Sequence, residues 1–229
     1  MAEKVRVALD RLGEMYGSVG ELLRLPETRR ALAGERWVTR ELDASVTLLD
    51  VCAAAREAIS SVKQQAQDLR SALRTRRGGG GAVRAYFRTT RAAREEGARC
   101  LRILKQMERK RAARPPRSAA AEGLTEAAIT VFRSLSSVMS QGPRRAPAGE
   151  KRGWLPEKMK KRTAEDVSLL GLDGRPRRED DTAGLEAVEE AQRQLHRLEV
   201  GFQGLEAGLE AAFRRLVQHR VLLLNILSQ

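Results

Sequence analysis

The chain has 229 residues, 41% of them hydrophobic but only 3% aromatic, and a net charge of +13. This length suits one moderate domain with appended linkers, and scarce aromatics beside abundant Ala, Leu, Arg and Glu favour a helical bundle over a sandwich. No apolar run approaches the ~18 residues of a spanning helix, and the charged start Met1–Leu12 lacks a secretory core, so an intracellular, soluble protein is expected, cytoplasmic first and nuclear as the alternative.

Residues 3–25 place Val5, Leu9, Leu12, Met15/Tyr16, Val19 and Leu22/Leu23 at steps of three and four, which defines one helix face. Leu25-Pro26 predicts a stop, because the residue before proline is pushed out of the helical region; Glu27–Gly34 reads as a connector or short turn. Residues 35–76 hold the longest clean pattern: Val38, Leu42, Ser45/Val46, Leu49, Cys52, Ala55, Ile59, Val62, Ala66, Leu69 and Leu73. The glycines Gly78–Gly81 are expected to end that helix as a flexible turn, since glycine propagates a helix poorly. Residues 82–112 then fold back antiparallel, with Val83, Tyr86/Phe87, Thr90, Ala93, Gly97, Cys100/Leu101, Leu104 and Met107 on one face, until Arg114-Pro115-Pro116 breaks the helix.

A shorter amphipathic helix is predicted over 121–140, through Leu124, Ala128, Val131, Leu135 and Val138. Residues 141–183 change character: Gly and Pro punctuate a basic stretch with little periodicity, which reads as a partly disordered linker with one docking turn at Trp154–Met159. The last long helix spans 184–228, from Leu185 through Leu195, Phe202, Leu209, Leu216/Val217, Val221 and Leu223/Leu224 to Leu227. The expected fold is all-α, an antiparallel bundle of about four to five amphipathic helices. Its parts are a bundle domain over 1–140, the linker 141–183, and the helix 184–229 packing on the bundle.

Catalytic constellations do not emerge. His196 and His219 sit on one predicted helix, more than about 30 Å apart at 1.5 Å per residue, and cannot share a metal. His219, beside Arg220, reads as a surface or half-buried polar group. Cys52 and Cys100 belong to no CxxC pair and read as small buried hydrophobes of a reducing compartment. Glu41, Asp43, Asp50 and Glu57 read as a solvated face or a pairing surface for a neighbour's arginines. Gly78–Gly81 lacks the Lys-Ser/Thr that a phosphate loop needs. No catalytic residue, cofactor or metal is expected.

Charge is the one feature that points to function. Residues 70–117 carry sixteen basic and three acidic side chains, while the rest of the chain balances. Arg70, Arg74, Arg76, Arg77, Arg84, Arg88, Arg91 and Arg94 flank the glycines, and Arg109, Lys110 and Arg111 follow at the helix end. Such a field attracts an acidic partner, anionic lipid or nucleic acid. Against nucleic acid stands the near absence of interleaved aromatics, with only Tyr86 and Phe87 nearby. Lys158–Arg162 is similar to a nuclear-import patch of the kind that basic linkers often contain.

Four stretches carry a family resemblance: LGEMYGSVGELLRLPETRRAL at 12–32, LDASVTLLDVCAAAREAISSVKQQAQDLRSALRTRRG at 42–78, AYFRTTRAAREEGARCLRILKQME at 85–108 and FRRLVQHRVLLLNILSQ at 213–229. They resemble the plant-specific family called domain of unknown function 241, which is more distantly similar to the BYPASS-type plant proteins. The resemblance covers most of the chain, least well over 141–183. It implies association with root and shoot development, no assigned biochemical activity, and basic runs in the region of Arg84–Arg91. Family members commonly begin with a Ser/Pro-rich basic segment that this chain lacks, so any function of that segment is not carried over. The expected function is a non-enzymatic scaffold or adaptor with protein partners, the alternative being a peripheral binder of anionic membrane or nucleic acid through 70–117. Apolar stripes of this length pack within one chain or across a homo-oligomer equally well.

Overall fold

The computed structural model describes residues 2–75, 79–113, 119–140 and 182–228. Among them lie six helices and no strand: α1 (Ala2–Arg24), α2 (Pro26–Leu32), α3 (Arg36–Thr75), α4 (Gly79–Ala112), α5 (Ala119–Ser140) and α6 (Thr182–Leu227). The all-α class is as expected. No helix among the described residues is long and apolar enough to cross a membrane. The anticipated turn at 154–159 and the basic run Lys158–Arg162 lie outside the described residues.

The core is built on columns. In α3 the buried positions Val38, Glu41, Ser45, Leu48, Cys52, Ala55, Ile59, Val62, Ala66, Leu69 and Leu73 alternate steps of three and four throughout. In α6 the same alternation runs through Ala191, Leu195, Phe202, Leu205, Leu209, Ala212, Leu216, His219, Leu223 and Ile226, with half-buried Leu198 filling its place. Steps averaging 3.5 residues keep one face of a helix turned toward its neighbour over many turns. The α4 column is Gly79, Val83, Tyr86, Thr90, Ala93, Gly97, Cys100 and Leu104.

Cross-helix contacts set the directions. Arg220 reaches Leu42, Cys52 meets Leu209, and Lys63 pairs with Glu206, so α3 and α6 run antiparallel. Gly204 faces Arg6, Gly208 faces Leu9 and Gly20 faces Leu222, so α1 and α6 run parallel. Gly97 lies against Met139 while Glu108 pairs with Arg133, so α4 and α5 run antiparallel. The bundle is therefore mixed in direction at α1·α6. α3 packs on α6, α4 and α5, and α1 closes the ring against α6 and α5.

Three expectations need correction. Residues 26–32 form a short helix rather than a bare connector: Pro26 starts it, where its missing N–H is no loss, and Gly34 leaves it at φ 76. The glycines do not all form a turn, because Gly79–Gly81 open α4, whose first-turn N–H groups have no intrahelical partner to lose. The apolar run at the end of α6 is also split by phase. Leu216, Leu223 and Ile226 are buried, whereas Val217, Val221, Leu224 and Leu227 are exposed, as are Met15, Leu22 and Val46.

Gly97 is where α4 and α5 touch most closely. A Cβ there would sit 2.8 Å from Met139 Cβ and 2.9 Å from the Ser140 backbone nitrogen. Gly81, by contrast, has nothing within 4 Å of its would-be Cβ and lies in helix. Gly97→Ala should therefore lower the urea midpoint, by the ~1–3 kcal/mol typical of overpacking. Gly81→Ala should raise stability by up to ~1 kcal/mol through helix propensity and a less disordered unfolded chain.

Candidate functional site

Helical phase sorts the predicted arginines into separate places. Arg84, Arg88 and Arg91 are exposed on α4 and are continued on the same face by Arg102, Lys105 and Arg109, also exposed. At 100° per residue these six positions fall within an arc of about 100° and extend for about 37 Å along the helix. They lie on the side of α4 turned away from its buried column. The acidic residue interrupting them, Glu95, pairs with Arg91 at 3.0 Å. The sequence grouping missed Arg102 and Lys105 because it followed proximity to the glycines rather than phase.

The other arginines do different work. Arg70 on α3 donates to Glu199 of α6 at 2.5 Å and lies 3.1 Å from His196 Nδ1. Arg74 lines the same shallow groove with Gln192 and Glu199. Both thus belong to the α3–α6 seam, where Lys63–Glu206 and Arg56–Glu210 continue the pairing. Arg214 and Arg56 beside Glu210 hold its carboxyl below the usual range. Arg94 is half-buried near Tyr86 with its Nε unbonded, and burial lowers its pKa from the ordinary guanidinium value. Arg76 and Arg77 lie outside the described residues. Of the six predicted arginines among the described residues, only Arg84, Arg88 and Arg91 form a common outward face.

A second cluster is buried, and it overturns two readings. Glu41 is no solvated acid but 3% exposed, and His219 is no surface group but 1% exposed. Thr125 Oγ1 of α5 donates to Glu41 Oε1, and His219 Nε2 stands 4.0 Å from that oxygen, beyond hydrogen-bonding reach. The ring of Tyr16 on α1 packs edge-on against His219, with centroids 5.2 Å apart. One turn along, Arg220 donates to Leu42 O at 2.7 Å and to Ser45 Oγ at 3.1 Å. Residues from α1, α3, α5 and α6 thus meet in one polar layer. The signal was present in the sequence: Glu41 lies three residues after Val38, and His219 lies three after Leu216 and four before Leu223.

Burial sets the chemistry of these groups. It pulls the His219 pKa down to about 4 and pushes the Tyr16 hydroxyl well above its ordinary value, with Glu41 adding to the latter. Neither His219 nitrogen has a hydrogen-bond partner, which fits a neutral ring. Among the described residues no group of three or more His, Cys, Asp or Glu is placed to hold a metal ion. Cys52 and Cys100 are buried free thiols, as expected, with burial pushing them up to about 12 and about 11.

Two outcomes follow from this burial. Unfolded His219 takes up a proton near the ordinary histidine value of 6.5, while burial delays this in folded His219 to about 4. The unfolded state therefore binds more protons between those values, and acidification across that window should remove up to roughly 3 kcal/mol of stability. Chemical denaturation at stepped pH should show this slope in the wild type and lose it in His219→Leu. Both thiols should resist a maleimide reagent at neutral pH in the native state, and both should react once the chain is unfolded in denaturant.

Comparison with known proteins adds a lineage. A search of curated proteins and a search of solved structures each found no match to the chain. The family model described as Protein BPS1 matches residues 8–226, which spans the helices from α1 to α6. That match agrees with the resemblance read from the four stretches above, and membership fits a plant protein associated with development. The chain belongs to the Protein BPS1 family, of the BYPASS type of plant proteins.

Proposed function

We propose that this protein is a non-enzymatic helical adaptor that docks an acidic protein partner on the outward face of α4. The observation that carries the reading is the alignment of Arg84, Arg88, Arg91, Arg102, Lys105 and Arg109 on one exposed helix face. A rigid bundle behind that face holds the cations in fixed register, and charge so arranged favours fast, selective encounter with a complementary surface. The apolar side of α4 is buried in the bundle, so attachment through this helix is electrostatic and needs no insertion.

A second reading is favoured by the same geometry: the face could rest on an anionic bilayer, where each basic residue contributes about 1 kcal/mol. The experiment separates the two. A triple reversal, Arg84→Glu, Arg88→Glu and Arg91→Glu, should leave the thermal melt unchanged and abolish recovery of acidic partners from native plant tissue. Sedimentation with phosphatidylserine vesicles and mobility shifts with duplex DNA, each across a salt series, serve as parallel arms. Partner recovery unaffected by the reversal would remove the α4 face as a docking site. Binding to vesicles alone, strongest at low salt, would favour the membrane reading. Reproducible turnover abolished by a point change in a polar pocket would overturn the non-enzymatic assignment.

A further inference from the structure

A separate cavity of about 310 Å³ opens where the first turns of α3 meet the last turns of α4. Its walls include Trp37 and Met107, its floor is the buried Glu41, and Arg40, Lys110 and Arg111 also line it. Asp43, exposed, is the other acid on its lining. Ligand sites combine such a concavity with apolar walls and a few convergent polar groups, starting at about 300 Å³. The polar layer described above stands directly behind the floor, because Glu41 belongs to both. The cavity is thus backed by α1, α5 and α6 although only α3 and α4 line it.

The lining favours one ligand chemistry. Arg40 and Lys110 form no ion pair among the described residues, although they flank the same opening. Two cations at one opening call for an acceptor-rich, negatively charged group. The indole of Trp37 and the thioether of Met107 call for a flat apolar body beside it. Glu41 is held by Thr125 at the floor, which leaves the Arg40 and Lys110 side of the opening to take an anion.

We infer that this cavity is a binding site for a small organic carboxylate with an aromatic or otherwise flat apolar body, its carboxylate taken by Arg40 and Lys110 and its body held between Trp37 and Met107. The site is distinct from the α4 docking face and does not depend on it.

The test uses the full chain with 1-naphthoate as probe and 1-naphthamide as its uncharged counterpart, read by isothermal titration calorimetry. Saturable one-to-one binding of naphthoate is expected, with the amide weaker by about tenfold, the loss of one charge-assisted hydrogen bond. Arg40→Ala and Lys110→Ala should each weaken naphthoate by a similar factor, while Arg40→Lys should keep most of the binding. Thermal melts of these variants should match the wild type, because neither residue belongs to a buried column. The triple reversal at Arg84, Arg88 and Arg91 should leave naphthoate binding unchanged, which keeps failure of the docking face separate from failure of the cavity. No saturable binding of naphthoate, equal binding of the amide, or full binding by the Arg40→Ala, Lys110→Ala double variant would overturn the assignment.

Discussion

The seam between α3 and α6 constrains everything else in this molecule. Each helix brings a column with steps of three and four, and the two columns meet antiparallel over most of their length. The apolar side chains supply the bulk of the attraction, at roughly 25 cal/mol per Å² removed from water, but an apolar column is nearly indifferent to a slip of one seven-residue period. The charged pairs are only slightly less so. Arg56, Lys63 and Arg70 are spaced seven apart on α3 and meet Glu210, Glu206 and Glu199 on α6. Exposed pairs of this kind add only about 0.2–1 kcal/mol each. Their contribution to register is small, because the three cations repeat every seven residues and a slip of one period re-forms two of the three pairs, so the observed register is favoured over it by about one pair.

That register places the polar layer. His219 meets Tyr16 and stands near Glu41 only because α6 lies where the seam holds it, parallel to α1 and antiparallel to α3. A carboxylate and an imidazole in a core lower stability relative to well-packed apolar residues unless they are bonded. Glu41 is partly satisfied by Thr125, whereas the His219 ring has no bond at all. Four helices accept this cost at one level of the bundle, next to a cavity that opens toward solvent. Polar groups retained at such a place either enforce one helix arrangement or serve a ligand, and here the two roles are compatible because Glu41 faces both the layer and the cavity.

Much of the architecture was legible in the residue order, since steps of three and four survive any rearrangement of the helices in space. The buried α3 residues from Cys52 to Leu73 fall where spacing put them. What spacing obscured was phase within doublets. Leu223/Leu224 and Leu216/Val217 each offer two apolar residues to one column, and only the partner helix decides which turns inward. The functional surfaces suffered a related loss. Net charge adds along the chain, but a helix distributes successive residues around its circumference, so neighbours such as Arg91 and Arg94 end on different faces with different exposure. Glu41 and His219 escaped for the opposite reason: the residue types argued for solvent, while their positions in the columns argued for burial, and position prevailed.

Charge balance explains why the outward face of α4 stands apart from the rest of the molecule. Outside 70–117 the basic and acidic side chains are equal in number, so the whole net charge of +13 resides in that segment. Arg70 is taken up by the seam, and Arg94 and Arg111 are turned partly inward. The α6 helix supplies carboxylates to α3, but α4 packs on the other side of α3 and on α5, where Glu108–Arg133 draws on an acid of α4 itself. Among the described residues no acid of a neighbouring helix forms an ion pair with Arg84, Arg88, Arg91, Arg102, Lys105 or Arg109. A bundle that needed those side chains only for solubility would gain as much from mixed signs, as α1 shows with Glu3, Arg6 and Asp10 paired on its surface. Apart from the Arg91–Glu95 pair, the single-sign face is what remains once the packing and pairing of the described helices has been accounted for, and that remainder is what the proposed docking role rests on.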